Sequence, residues 1–283
     1  MTEVRDTVYT PESPLRHPAK LVRDMGADLL RSRELARRLF LRDLRAQYRH
    51  SLLGYVWVIA PPLLASVPFI YLNSSGVINV AETPIPYPAF AVVGTVIWQT
   101  FTDALNSPLR VMNASRAMLT RISFPREAIL LSGLMQVGFS FLVRLLLVVA
   151  VLMTFSLTVP STAPLFLVGM MSVGLTGFAI GLVLTPAGLL YADVQQALPL
   201  ASTFLMFLTP VLYPRPASGV AAAVATVNPL TPLVTTTRDW LTTGAVEHLA
   251  AFIAVTAATI TFLAVGWIVY RVSLPHLVAR LGN

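Results

Sequence analysis

Apolar and polar positions along this chain fall into long blocks rather than short alternations. A first apolar run, Leu52 to Leu72, carries no formal charge and as helix would cover about 31 Å at 1.5 Å per residue. Five more runs follow, at about 88–105, 128–155, 165–184, 198–213 and 249–270. Each is too long for one strand, and lipid-exposed backbone must satisfy its own hydrogen bonds. The pattern therefore predicts an all-α integral membrane protein with six transmembrane helices.

The stretch before the first run has a different period. Arg38, Arg42, Arg45 and Arg49 recur at four, three and four residues and share one helical face. Ala36, Phe40, Leu41, Leu44 and Tyr48 take the opposite side, interrupted by Arg37 and Gln47. Two readings fit: an amphipathic helix lying in the membrane surface and joined to the first span near Gly54, or a plain basic flank. Residues 1–33, with Pro11, Pro14 and Pro18 among mixed charges, read as a cytoplasmic tail ahead of a transmembrane domain over 34–283.

Between the fifth and sixth runs the chain is too apolar for an ordinary loop, yet Pro214, Pro216, Pro229 and Pro232 break it. Two half-length segments, about 217–227 and 230–241, would each reach about 16 Å as helix, half a bilayer. A re-entrant pair on the outer face and a folded loop lying flat both fit.

Charge orients the spans. Twelve basic residues flank the segments placed inside when the N-terminus is inside, among them Arg110, Arg116, Arg121, Arg126 and Arg271. The outer loops hold only Arg215 and Arg238, so both termini are expected in the cytoplasm. The composition, 55% hydrophobic and 12% charged, excludes an ordinary soluble core. The net charge of +7 sits beside a span, where lipid phosphates are nearer anions than nucleic acid.

Arg144 lies well inside the third span, where an arginine needs a partner. Asp103 is the obvious carboxylate, but with the second span ending near 105 it sits close to the inner end while Arg144 is deeper. The partner stays open, between helix carbonyls and a place beside an anionic substrate. Gly177 and Gly181, spaced as small-xxx-small, permit close helix approach in the fourth span.

The block RDLRAQYRHSLLGYVW, from Arg42 to Trp57, with Pro61 and Pro62 after it, resembles the signature of ABC-2 type exporter permeases of bacterial surface polysaccharides. That family includes the O-antigen and teichoic-acid exporters. Phe124, Pro125, Arg126 and Glu127 are similar to its F-P-R-E block. Tyr191, Asp193 and Pro199 match its Y-x-D block, although Ala192 and Gln195 replace residues that are commonly basic there. Asn228, Pro229, Arg238 and Asp239 resemble its outer N-P…R-D block.

The resemblance implies a permease that exports lipid-linked polysaccharide, works as two copies, and is driven by a separate ATPase subunit. ATP and magnesium would bind that partner, and this chain itself would bind no cofactor or metal. Coupling to the ATPase would fall to Arg116, Arg121, Arg126, Glu127 and Asp193, and the interface helix to Arg38, Arg42, Arg45 and Arg49. The first and fifth spans would line the channel, where aromatic rings suit sliding sugars. Tyr55, Pro62 and Phe69 repeat every seven residues, while Phe204, Phe207, Val211 and Tyr213 follow along the fifth span. Packing between neighbouring helices would produce the same stripes.

The residues agree with what the resemblance excludes. Lys20 is the only lysine and lies outside any G-x-x-x-x-G-K-[ST] pattern, so the chain cannot form its own P-loop. His17, His50, His248 and His276 show no metal-ligand spacing. An exporter of drugs or small lipids would share this architecture. A membrane transferase acting on polyprenyl-linked sugars would want carboxylate clusters, and the outer loops offer only Glu82, Asp239 and Glu247. Topology is testable on this cysteine-free chain. Cysteines at Ser218 and Thr243 should both react with an impermeant thiol reagent applied outside; labelling of either only from the cytoplasmic side would refute the span count.

Overall fold

Among the described residues every regular element is helical. The structure, a computed structural model, describes residues 26–49, 51–116, 118 and 126–281, with side chains as far as 273. Most of the tail read over 1–33 lies outside the described residues, as do Arg121, Phe124 and Pro125.

Helix α1 is Arg33–Tyr48, preceded by a short helical segment at 26–31. A turn at 51–55, with Gly54 at φ +50°, leads into α2, Val56–Ser74. Helix α3 is Tyr87–Ala114, α4 is Glu127–Thr154 and α5 is Leu165–Leu190. Then come α6, Ala192–Leu208, and the short pair α7, Gly219–Val227, and α8, Leu230–Thr242. Helix α9 is Leu249–Leu281. Among the described residues, four helices are long and apolar enough to cross a membrane: α2, α4, α5 and α9 as far as Ser273. The α7–α8 pair passes the same test only if taken together, and it bends by 92°.

Helices α3 and α5 form the centre. Along α3 nearly every position from Ala89 to Ala104 is buried, including Phe90, Trp98 and Phe101. Its partner α5 brings Gly177 and Gly181 against the carbonyls of Phe101 and Leu105, so the two backbones nearly touch. Lipid supplies no hydrophobic drive between helices, and this close approach replaces it with dispersion contacts along the full length. Helix α9 packs on the other side of α5, where Thr176 and Thr259 share a hydrogen bond of 3.0 Å between buried hydroxyls. Helix α4 packs on α3, and α1 lies along α4 through Ala36 and Leu39.

By contrast α2 and α6 are held loosely. Helix α2 buries only Val58, Pro62 and Ser66, and α6 only Leu198 and Ser202.

Several boundaries differ from the sequence expectation. Helix α3, the second expected span, runs on to Ala114 instead of stopping near 105, with Pro108 inside it rather than at a boundary. That proline packs beside Gly181, and tight packing against α5 offsets the hydrogen bond it removes. The fourth expected span, α5, continues to Leu190, so the stretch read as an inner loop shrinks to one extended residue, Tyr191, at φ −121° and ψ 116°. The fifth starts at Ala192 and ends at Leu208, short of Tyr213, because Pro210 forces Thr209 into an extended conformation, φ −109° and ψ 137°.

Adding a methyl group at two glycines should separate contact from propensity. Gly177→Ala drives a Cβ into the Phe101 backbone and should lower stability by about 1–3 kcal/mol. Gly174→Ala meets only the Thr100 methyl, at 3.8 Å, and should be neutral or stabilising by up to about 1 kcal/mol. Thermal unfolding of both variants in detergent measures the difference.

Candidate functional site

One end of the bundle gathers the charge. The C-terminal ends of α3 and α5 meet the N-terminal ends of α4 and α6 here, together with α1 and the later part of α9. Arg116 donates from Nη2 to the Leu189 carbonyl at 3.2 Å, satisfying an orphan acceptor at the end of α5. Asn113 Nδ2 donates to Gln195 Oε1 at 3.1 Å, joining α3 to α6. Arg126 stands at the start of α4 and Asp193 is exposed in the first turn of α6.

Glu127 points the other way. It is buried and accepts from Arg271 Nη1 at 3.2 Å, while Arg271 Nη2 reaches Asp28 at 2.7 Å. That guanidinium binds three segments together: the one before α1, the start of α4 and the body of α9. Nothing in the spacing of Asp28, Glu127 and Arg271 announces this cluster.

The arginine face of α1 stays outward. Arg38, Arg42, Arg45 and Arg49 are exposed; Arg38 pairs with Glu34 at 2.9 Å and Arg42 with Asp43 at 2.8 Å. The opposite face meets α4 with Phe40 6.3 Å from Phe139 between ring centroids. Tyr55 joins this cluster, 4.6 Å from Tyr48 and 5.4 Å from Phe139. Burial, with Tyr55 beside it, pushes the Tyr48 hydroxyl above the usual phenolic range and keeps it neutral.

The aromatic stripe read on α2 therefore divides. Tyr55 belongs to the basic end and Pro62 is buried, so the two do not continue one open face to Phe69. Phe69 instead meets Phe207 of α6, at 6.2 Å between centroids. Tyr213 donates its hydroxyl to the Phe207 carbonyl at 2.7 Å, and Phe204 and Phe207 stand exposed on α6. Val211, expected on the same stripe, is fully buried. The open face of α2 is Trp57, Leu64 and Tyr71, which share the seven-residue spacing of the other stripe. Period alone could not choose between the two stripes.

Within the bundle Arg144 of α4 finds Asp103 of α3, Nη2 to Oδ2 at 2.7 Å, with Nε on the Val58 carbonyl at 3.1 Å. Because α3 runs on to Ala114, Asp103 sits about 16 Å from its end rather than at it. That is why the pair was not legible from a span ending at 105. Arg238 of α8 is also buried: Nη1 donates to the Pro210 and Val211 carbonyls at 3.2 and 3.1 Å, and its guanidinium carbon lies 3.7 Å from the centre of the Phe90 ring. Asn228 of the N-P block accepts from the Leu230 N–H at 2.9 Å and donates to Thr209 Oγ1 at 2.8 Å. It satisfies the first N–H of α8 and ties the start of that helix to the end of α6.

No family model matches the chain. Among curated proteins it is similar to the O-antigen export system permease protein RfbA of Klebsiella pneumoniae, 26% identical over 214 residues, 73% of this chain and 80% of that one. The Myxococcus xanthus protein of the same name is 26% identical over 212 residues, 74% of this chain and 80% of that one. The polysialic acid transport protein KpsM of Escherichia coli is 24% identical over 239 residues, 82% of this chain and 91% of that one. These relatives are O-antigen export permeases and a polysialic acid transport protein. Chemistry singles out two regions of this chain, the basic end and the loosely packed α2 and α6.

The Arg271 cluster should behave as a coupled unit. Glu127→Gln and Arg271→Gln should each destabilise the protein, with a double-mutant coupling of about 0.5–2 kcal/mol in detergent unfolding. Additive losses would mean the pair contributes nothing.

Proposed function

We propose that this chain is the membrane-spanning subunit of an ABC transporter exporting lipid-linked polysaccharide across the bacterial cytoplasmic membrane. ATP hydrolysis on a separate subunit drives it, and ATP and magnesium bind there. The observation that carries this reading is the similarity to O-antigen and polysialic acid export permeases over about three quarters or more of the chain.

On this reading six spans cross the bilayer. Helices α3 and α6 join the four apolar ones: α3, at about 42 Å, is long enough despite its polar residues, and α6 is short at about 26 Å. Both termini lie in the cytoplasm, with α1 in the inner membrane surface and α7–α8 entering and leaving from outside. Twelve inner basic residues against two outer ones support that orientation. The basic end then faces the ATPase, through Arg116, Arg121, Arg126 and Asp193, with Glu127 held from behind by Arg271. One copy presents only a wall, so two copies close the path. Phe69, Phe204, Phe207 and Tyr213 line its upper part and Tyr55 its mouth. Flat rings there bind sugar faces without fixing a register, and few ionic contacts slow the slide.

The test is genetic and chemical together. Deleting the gene should remove a lipid-linked glycan from the cell surface and leave it in the cytoplasmic leaflet, and the wild-type gene should restore it. Reversing charge at Arg116 and Arg121 should impair export while the protein still inserts. Alanine at Phe69, Phe204 or Phe207 should shorten or deplete the surface glycan while the complex with the ATPase still assembles. Unchanged glycan in the deletion would overturn the reading.

A further inference from the structure

Helices α2 and α6 bury so few side chains that packing alone does not fix their positions. Each is nevertheless held at a main-chain carbonyl by a buried arginine from a neighbouring element, which on α6 adds to the Asn113–Gln195 and Asn228–Thr209 hydrogen bonds. On α2 the carbonyl is that of Val58. Its helical partner would be the N–H four residues on, but that residue is Pro62, which has none. Arg144 supplies the missing donor from Nε, while Asp103 on α3 holds its Nη2 and neutralises its charge. Next to α6 the carbonyls are those of Pro210 and Val211, where the chain has left the helix and has no helical donor to offer them. Arg238 Nη1 bridges both, and its guanidinium stacks on Phe90 of α3. Gly94, also on α3, lacks the Cβ that would collide with the Val211 carbonyl.

We infer that Arg144 and Arg238 are matched positioning residues, each clamping one loosely packed wall helix to the α3–α5 core through a carbonyl without a helical partner. The two clamps sit at opposite ends. Arg144 holds the start of α2, and Arg238 holds the chain just past the end of α6. Together they set where Phe69 and Phe207 meet, at 6.2 Å between ring centroids. A guanidinium suits both places because its donors diverge in one plane and reach two acceptors at once, whereas an ammonium is a point charge. The importance of this contact for transport rests on the proposed export function; the clamping itself does not.

The experiment therefore reads helix position and not cargo. On the cysteine-free chain, Phe69→Cys with Phe207→Cys reports the α2–α6 contact, and Thr176→Cys with Thr259→Cys reports the α5–α9 core. Both pairs are treated in membranes with a short bifunctional thiol reagent, with and without Arg144→Met or Arg238→Met. The expected result is that either substitution slows cross-linking of the first pair at least fivefold relative to the second. A smaller change, or an equal fall in both pairs, overturns the inference, since the arginines would then be dispensable or merely general to folding. If a methionine variant fails to insert, Arg144→Lys or Arg238→Lys takes its place under the same criterion. Should the glycan-export reading fail on its own test, this outcome still stands or falls by itself.

Discussion

A main-chain carbonyl deprived of its helical donor finds no water in the bilayer core, and the protein must answer it from within. This chain creates the problem repeatedly: Pro61, Pro62 and Pro68 lie inside α2, Pro108 inside α3, Pro186 inside α5 and Pro199 inside α6. A proline-free bundle would need no such answers, but it would also be uniformly stiff. Here the breaks concentrate in α2, with three prolines, while α4 has none. Arg144, which donates to the Val58 carbonyl left without a donor by Pro62, is the clearest such answer.

The result is a molecule of two mechanical characters. The α3–α5 pair approaches through glycine to the limit of backbone contact and is sheathed by α9, α4 and α8. Helices α2 and α6, together with short α7, carry most of their apolar surface outward, including Phe204, Val220 and Val227. In a bilayer that surface is no fault, because lipid accepts it, and the two arginine contacts hold these helices where packing does not.

What the chain disclosed from its sequence was decided by signals of long range. Apolar runs located the bodies of the long helices, although α3 continues nine residues and α9 eleven residues past the expected ends, and the arginine period of α1 was visible at once. The turn at Gly54 and the break between Val227 and Leu230 were also legible, through glycine and proline chemistry. Helix ends were not, because Pro108 and the 185–190 stretch look like boundaries locally and are overridden by packing against the facing helix. The site was legible only in part. Phe69 meets Phe207 and Tyr213 bonds the Phe207 carbonyl, contacts that no spacing announced, whereas Tyr55 packs with Tyr48 and Phe139 because the Ser51–Tyr55 turn folds it back. Arg144 could be flagged from hydropathy, but its partner depended on the register of α3, which is a tertiary quantity. The Asp28–Arg271–Glu127 cluster joins residues far apart in the chain, and no local signal marks it.

The joint at Tyr191 has a consequence of its own. A single extended residue connects α5, locked in the centre, to α6, which shows its rings outward. Successive helical residues are offset by about 100° and 1.5 Å, so so short a connection transmits rotational phase as well as position. One residue gained or lost there would turn the exposed face of α6 by more than a quarter of a revolution and carry Phe204 and Phe207 out of alignment with α2. The length of that joint, more than the identity of its side chain, decides which side of α6 the rest of the machine meets.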